Sequence, residues 1–291
     1  MINRVLHEVQ SIILSNRIIL DYPQLKAKDN RVNLHSFFAE DDGEHKNLGD
    51  HLSKVVVEWM LAQKQLSLDT WVDGKQDLYA IGSILLMGHQ NTAVWGTGMP
   101  FEPSKIRGLF HNRYCRKLDI RAVRGPLTRQ TLLKLGHECP EIYGDPAILM
   151  PLIYTPKRRE KIINRLIIPH FSMENMAAAD QDCGQILSMK TNDYQYVIDT
   201  ICSSEVVISS SLHGIILAEA YGVPAIFFQD RPERFNYKYA DWYLSTGREM
   251  CVCDGLNAAK MTQPMPLPNV AEMQEKLMDV FPYDLWRSHL T

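Results

Sequence analysis

The chain has 291 residues, of which 45% are hydrophobic and 22% are charged, and its 31 Lys and Arg against 34 Asp and Glu leave a formal net charge of −3. That length allows one large or two modest domains, each with its own core. The near-neutral balance argues against a general polyanion binder, so we expect no nucleic-acid partner.

The opening stretch VLHEVQSIILSNRIIL is broken by polar residues such as Glu8 and Arg17, which favours an amphipathic helix over a signal peptide. No apolar run reaches the length of a membrane span. We therefore expect a cytoplasmic protein, with at most peripheral contact at the inner face of the membrane. The scattered cysteines, including the Cys251–Val252–Cys253 pair, indicate reduced structural thiols and no metal site.

Short apolar runs alternate with amphipathic helices through the first half of the chain. RVNLHSFF, DLYAIGSIL, AVWGTG and DIRAVRG are typical of strands. In the helix GPLTRQTLLKLG, Pro126 stands at the first position and Gly136 just past the end, the usual asymmetry of helix termini. An earlier helix has apolar residues recurring at i, i+3, i+4 and i+7, namely Leu52, Val55, Val56, Trp59 and Met60.

The second half repeats the pattern after PLIYTPKRRE, a basic, Pro-containing stretch that suits a linker. RLIIPHF, VVISS and PAIFF predict strands, and DYQYVIDTICSS and HGIILAEAYG predict helices. Strands that alternate with helices imply parallel sheets with right-handed crossovers. We predict an α/β fold with two Rossmann-like domains facing a cleft, residues 1–152 and 153–291, in which the C-terminal helix can pack back on the first domain.

The stretch SSSLHG lies where a predicted strand ends and a helix begins. Ser209, Ser210 and Ser211 can cap this helix, its free N–H groups attract anions, and Gly214 lets a ligand approach the backbone. His213 stands in the first turn, where the helix disfavours an imidazolium, so we expect a neutral ring that exchanges protons. A capped helix with a core histidine is the alternative.

NLGDHL repeats this arrangement in the first half, with Asn47 and Gly49 ahead of Asp50 at a predicted helix start. An aspartate there is most often an N-cap, whereas one facing the cleft would accept a proton or hold a substrate hydroxyl. Asp145 in YGDPAIL precedes a proline, and we favour an Asx-turn for it. His170, directly after LIIP, is a second candidate for a histidine in the cleft.

Arginine suits bidentate binding of carboxylate or phosphate. Arg124 is the best candidate because it stands at a strand-to-helix junction. The chain has no Gly-rich phosphate loop with Lys-Ser/Thr, which disfavours a purine-nucleotide hydrolase, and GTG at 96–98 is too short for a dinucleotide fingerprint. We expect no cofactor. The other basic candidates near loops are Arg121, Arg129, Arg231, Arg234 and Lys238.

Taken together, these motifs resemble the polysaccharide pyruvyl transferase family over roughly residues 45–247, and most closely its succinoglycan-type bacterial, ketal-forming members. The matching segments, in order, are NLGDHL, AIGSIL with VWGTGM, RAVRGPLTR, YGDPAILMP, IIPH, SSSLHGIILAEAYGVP and RFNYKYADWYLSTG. The resemblance implies a fold like the two-domain GT-B glycosyltransferases. It also implies transfer of a pyruvyl group from phosphoenolpyruvate to two hydroxyls of a sugar, giving a cyclic ketal in exopolysaccharide or capsule biosynthesis.

The resemblance further implies roles for the candidates, with a lipid- or nucleotide-linked oligosaccharide as the acceptor. His213 is the acid/base, with His170 as a second proton-transfer candidate, and Arg124 clamps the phosphate or carboxylate. Ser210, Ser211 and Gly214 line the anion site, Arg231 or Arg234 assist the clamp, and Asp50 with Asn47 and Gly49 form the acceptor side. A two-domain nucleotide-sugar glycosyltransferase and a non-catalytic sugar- or anion-binding protein remain open alternatives.

Overall fold

The computed structural model describes residues 31–36, 46–72, 76–86, 92–102, 118–157, 160–170, 184–230 and 236–286. The predicted opening helix and the candidates Arg231 and Arg234 lie outside these residues. Within them the chain forms two parallel β-sheets, with helices between several of the successive strands. This alternation confirms the predicted α/β class with parallel sheets.

The first sheet has four strands in chain order, all parallel. Helix α1 (Leu48–Ala62) follows the first strand and α2 (Pro126–Lys134) the last. Pro126 occupies the first turn of α2, and Gly136 takes a φ of +87° just past its end, so both predicted helix termini are confirmed. The strands are β1 (Val32–His35), β2 (Gln76–Tyr79), β3 (Thr92–Trp95) and β4 (Leu118–Ala122).

The polypeptide between the two sheets forms a short helical segment. A 3₁₀ turn (Pro146–Leu149) leads directly into α3 (Met150–Ile153), so the region predicted as a linker begins in a helix. The 3₁₀ turn is fully buried and packs against helices from both halves of the chain. Contacts with residues that are remote in the sequence hold this segment in place. Its local composition does not show those contacts, so its prolines and basic residues suggested a linker.

The second sheet has five parallel strands in the order β6-β5-β7-β8-β9. Its strands are β5 (Ile163–Ile168), β6 (Gln185–Ile186), β7 (Ser204–Ser209), β8 (Ala225–Gln229) and β9 (Cys253–Asp254). The helices that follow are α4 (Tyr194–Cys202), α5 (Leu212–Ala220), α6 (Tyr237–Ser245), α7 (Gly255–Lys260) and α8 (Ala271–Asp279). Among the described residues, no helix has both the length and the apolar character that crossing a membrane would require.

Helix α5 is apolar on almost every side because other elements surround it. It packs on β7 and β8 and also on α3, α4 and the 3₁₀ turn. Its buried residues Ile215, Ile216 and Leu217 belong to one continuous apolar cluster that also contains Leu52 of α1 and Trp95 of β3. The two halves therefore share a core at the place where α5 begins.

The C-terminal segment returns to the first half of the chain. Trp95 Nε1 donates to the carbonyl of Leu277 in α8 (2.8 Å), and Gln274 Nε2 donates to the carbonyl of Ile148 (2.7 Å). Beyond α8, the Tyr283 hydroxyl donates to the carbonyl of Met60 in α1 (2.8 Å). These hydrogen bonds hold the end of the chain against both the first sheet and the 3₁₀ turn.

Candidate active site

The N-cap of helix α1 is not Asp50, for which the sequence left two roles open, an N-cap or a cleft-facing carboxylate. Asn47 has an extended backbone and its Oδ1 accepts the N–H of Gly49 (3.0 Å), so Asn47 is the N-cap. Asp50 lies inside the first turn and is buried, which makes the N-cap interpretation of Asp50 wrong. Leu48 N–H donates to the carbonyl of Met189 (2.9 Å), so the second half of the chain contacts this helix start.

His213 in the first turn of α5 contacts the first turn of α1. A Cβ built on Gly49 would lie 2.2 Å from His213 Nδ1 and 2.5 Å from its Cε1, far inside van der Waals contact. The absence of a side chain at Gly49 therefore makes room for the ring. Two motifs that are far apart in sequence, NLGD and SSLHG, meet at this point.

Asp145 is an acidic residue beside His213, and sequence reasoning missed this role. Its Oδ1 accepts the N–H of Ala147 (3.1 Å), which confirms the predicted Asx-turn at the start of the 3₁₀ turn. Its Oδ2 lies 3.6 Å from His213 Nε2, an ion-pair distance longer than a hydrogen bond. Both atoms are buried and lack a hydrogen-bond partner in the part of the chain that the structure describes, a state that typically costs about 1–3 kcal/mol per group.

The serines at the end of β7 join strand ends to one another. Ser209 Oγ donates to the carbonyl of Ile168 (2.9 Å) and accepts the N–H of Ser211 (2.9 Å). Ser210 Oγ accepts the N–H of His170 (2.8 Å) and donates to Asp230. Ser211 is the N-cap of α5 but makes no side-chain capping hydrogen bond, so α5 starts without the predicted serine cap.

His170 and Gly214 lie at the same edge of the second sheet. His170 follows β5, is buried, and is tied through its backbone to Ser210. A Cβ on Gly214 would lie 2.6 Å from Ser209 Oγ and 3.0 Å from Ile168 Cγ2. The close approach at Gly214 is thus made by the neighbouring strands, and its predicted role in ligand approach stays a prediction.

Arg124 forms a separate cluster at the carboxyl edge of the first sheet. Its guanidinium is fully buried, with Nη1 donating to Ser83 Oγ (2.9 Å) and Nη2 to the carbonyl of Met99 (2.7 Å). Its Nε lies 3.5 Å from Asp241 Oδ2 in α6. In this arrangement Arg124 connects two loops and one helix. Its role in binding an anion stays a prediction.

Asp241 in turn caps α2 from the second half of the chain. Its carboxylate accepts the N–H groups of Leu127 (2.9 Å) and Thr128 (3.0 Å) and the hydroxyl of Thr128 (2.6 Å). Burial raises the pKa of Asp241, while Arg124 and Thr128 act in the opposite direction. The cap that α2 lacks locally, at Gly125, is supplied by a residue more than a hundred positions later.

Three other predicted basic candidates have partners within the protein. Arg121 forms ion pairs with Asp119 and Asp284, and its hydrogen bond to Asp119 is the main cause that raises its pKa. Arg129 donates to the carbonyl of Cys139 (3.0 Å), and Lys238 lies over the Tyr239 ring.

Of the predicted site residues, the structure places His213 against the first turn of α1, which contains Gly49 and Asp50 and is capped by Asn47. Asp145 lies on the Nε2 side of His213, and His170 and Ser210 lie at the adjoining sheet edge.

A comparison with known protein families identifies the family to which this chain belongs. The model of the family described as polysaccharide pyruvyl transferase matches residues 1–230, well over half of the chain and all of the motifs that meet at His213. The chain belongs to the polysaccharide pyruvyl transferase family. This confirms the resemblance that the motifs showed.

Two relatives of this pyruvyl transferase family member are distant. It is 28% identical to uncharacterized protein L143 of Acanthamoeba polyphaga mimivirus over 187 residues, 61% of this chain and 62% of the relative. It is 29% identical to succinoglycan biosynthesis protein ExoV of Rhizobium meliloti (strain 1021) over 136 residues, 45% of this chain and 42% of the relative. The chain thus spans less than two thirds of the length of either relative.

A solved structure, of a functional uncharacterized protein KP1_0663 from Klebsiella pneumoniae subsp. pneumoniae NTUH-K2044, also aligns with this family member. The alignment covers 85% of this chain and 98% of the other, at 12% sequence identity and a TM-score of 0.46.

Proposed function

We propose that this pyruvyl transferase family member moves a pyruvyl group from phosphoenolpyruvate to two hydroxyls of a sugar, forming a cyclic ketal in surface polysaccharide biosynthesis. Family membership supports the pyruvyl transfer class. The observation that carries the proposal is the placement of His213 between Gly49 of α1 and Asp145, where a histidine and a carboxylate are enclosed together. The donor, the ketal and an acceptor carried on a lipid or a nucleotide are the finer parts of the proposal.

The helix starts around His213 suit an anionic donor. Phosphoenolpyruvate carries a phosphate and a carboxylate, and helix N-termini attract both through their free N–H groups. Gly49 and His213 are in contact, so the first turns of α1 and α5 lie side by side. Because Ser211 makes no side-chain cap, it does not compete for the first N–H groups of α5.

The reaction needs proton transfers that a histidine can perform. A proton added to the methylene carbon of phosphoenolpyruvate makes the adjacent carbon electrophilic, and a sugar hydroxyl adds there and loses its proton. The C–O bond to phosphate then breaks with its electron pair, and the second hydroxyl closes the ring. Of the two hydroxyl protons released, one replaces the proton given to the methylene and the other leaves with phosphate. In our proposal His213 gives the first proton and accepts one in return.

The remaining candidates take supporting roles in this proposal. His170 at the end of β5 is a second proton-transfer group, and Asp50 in the first turn of α1 faces the acceptor hydroxyls. The fully buried Arg124 reaches a donor anion only if its contacts with Ser83 and Met99 rearrange, whereas Arg231 and Arg234 follow β8 close to the sheet edge in sequence.

The test is phosphate release from phosphoenolpyruvate with a panel of lipid-linked, nucleotide-linked and free sugars, with mass spectrometry of the products. We expect acceptor-dependent release, a product mass that matches a ketal-linked pyruvyl group, and a loss of about 10²–10⁴ in rate for His213→Asn. Glu58→Ala, on the exposed side of α1, serves as the control and keeps full turnover.

Two results would contradict the proposal. One is unchanged phosphate release by His213→Asn, which would remove the acid/base role. The other is tight binding of a free nucleoside diphosphate together with sugar transfer from a nucleotide sugar. That outcome would establish the glycosyltransferase alternative instead.

A further inference from the structure

Two buried side-chain atoms that face each other, Asp145 Oδ2 and His213 Nε2, have no hydrogen-bond partner among the described residues. They lie 3.6 Å apart. Enclosed polar atoms of this kind gain stability from each other because water does not reach them. Catalytic hydrogen bonds are often long in a ligand-free structure and shorten when substrate is bound.

The Asp145 carboxylate is held so that it cannot turn away from the ring. Its other oxygen, Oδ1, accepts the N–H of Ala147, and the side chain is fully buried at the start of the 3₁₀ turn. Pro146 follows at once and fixes the backbone of that turn. One carboxylate therefore shapes the turn with Oδ1 and leaves Oδ2 for His213.

The other ring nitrogen of His213 lies on the side of α1. A Cβ on Gly49 would come within 2.2 Å of Nδ1, so only a glycine lets this nitrogen lie so close to the backbone of α1. About 15% of the His213 side chain is exposed, and Nε2 is not part of that surface. A substrate that exchanges a proton with this histidine must therefore do so at Nδ1.

We propose that Asp145 is the positioning residue for His213: its Oδ2 accepts the Nε2–H, which fixes the tautomer and leaves Nδ1, beside Gly49, as the nitrogen that exchanges protons with substrate. This rests on the proposed function. When Nδ1 takes up a proton, the imidazolium that forms is stabilised by the Asp145 carboxylate, which itself stays ionised. The proton on Nε2 does not move during the reaction.

The variant Asp145→Asn separates this role from the structural one. Its Oδ1 can still accept the Ala147 N–H and keep the Asx-turn, but an amide nitrogen replaces Oδ2. That NH₂ donates to Nε2, which forces the ring proton onto Nδ1 and prevents formation of the imidazolium that gives the first proton. We expect kcat to fall by about 10²–10⁴ while the KM for phosphoenolpyruvate changes little.

The tautomer is measured directly, without substrate, by two-bond ¹H–¹⁵N correlation spectra of the full chain. The His213 signals are assigned by their loss in His213→Asn. We expect a protonated Nε2 in the wild type and a protonated Nδ1 in Asp145→Asn. The control is Asp193→Asn, which makes the same substitution at the N-cap of α4, where Oδ1 accepts the Tyr196 N–H, and which leaves both the tautomer and kcat unchanged.

The same tautomer in the wild type and in Asp145→Asn, or a protonated Nδ1 in the wild type, would overturn the assignment of Asp145. Failure of the proposed function would look different, because it would appear as no phosphate release from any acceptor while the tautomer still depended on Asp145.

Discussion

At the scale of single residues, Gly49 is the position whose substitution most directly affects the ring of His213. Alanine in place of glycine inside a helix usually stabilises it by about 0.5–1 kcal/mol. In Gly49→Ala, however, the new Cβ would lie 2.2 Å from Nδ1 and must displace the ring. We expect kcat for phosphate release to fall at least tenfold with little loss of melting temperature. Unchanged kcat would show that the close approach of the His213 ring to the backbone of α1 is not needed.

Sequence alone identified the parts of the site that carry a local signal, and the missing parts are those that depend on distant residues. His213, Gly49 and Asn47 lie at helix starts whose composition shows a strand-to-helix junction. Asp145 was interpreted as an Asx-turn, which is correct for Oδ1, but its second oxygen meets a ring 68 positions later in the chain. Arg124 was interpreted as an anion clamp because it stands at a strand-to-helix junction, and no local signal pointed to its internal partner Asp241, which belongs to a helix of the second half.

At the scale of elements, Asp241 joins α6 to the start of α2, and we expect Asp241→Asn to destabilise the protein. The variant removes the charge that faces the fully buried Arg124 and weakens the cap on Leu127 and Thr128. Breaking a buried ion pair on one side typically costs about 3–5 kcal/mol, because the remaining charge is left uncompensated. Urea denaturation measures the free energy of unfolding, with Asp254→Asn as an exposed control. A change below about 1 kcal/mol would mean that the pair does not hold these helices together.

The order of strands and helices was predictable because apolar periodicity is a local property of the chain. The predicted face of α1 is buried at Leu52, Val56 and Met60, as a 3.6-residue period requires. The 3₁₀ turn and α3 were not predicted, since four-residue helices have too few positions to show a period. The burial of the 3₁₀ turn comes from contacts with α1, α5 and α8, which no local window of sequence contains.

At the scale of the whole molecule, the two sheets are distinct but their apolar interiors are not. The sequence indicated two domains, and strands up to Ala122 and from Ile163 do form separate sheets. One apolar cluster nevertheless runs from α1 and β3 through the 3₁₀ turn to α5 and α8. His213 lies beside this shared interior, so the geometry of the candidate site depends on both halves staying in contact.

The shared core predicts that a substitution in the C-terminal helix weakens both sheets. Leu277 in α8 is fully buried. A Cβ built on Gly144 would lie 2.9 Å from its Cδ1, so this side chain packs closely on the backbone of Gly144. We expect Leu277→Ala to lower the free energy of unfolding by about 2–5 kcal/mol, while Leu267→Ala, at a residue 44% exposed, changes it little. Hydrogen exchange with mass spectrometry in rising urea would follow β3 and β7 separately. Loss of protection at the same urea concentration in both strands is the expected result, because Leu277 supports an interior that the two sheets share. Loss in β7 alone would contradict it, since the first sheet would then be stable without α8.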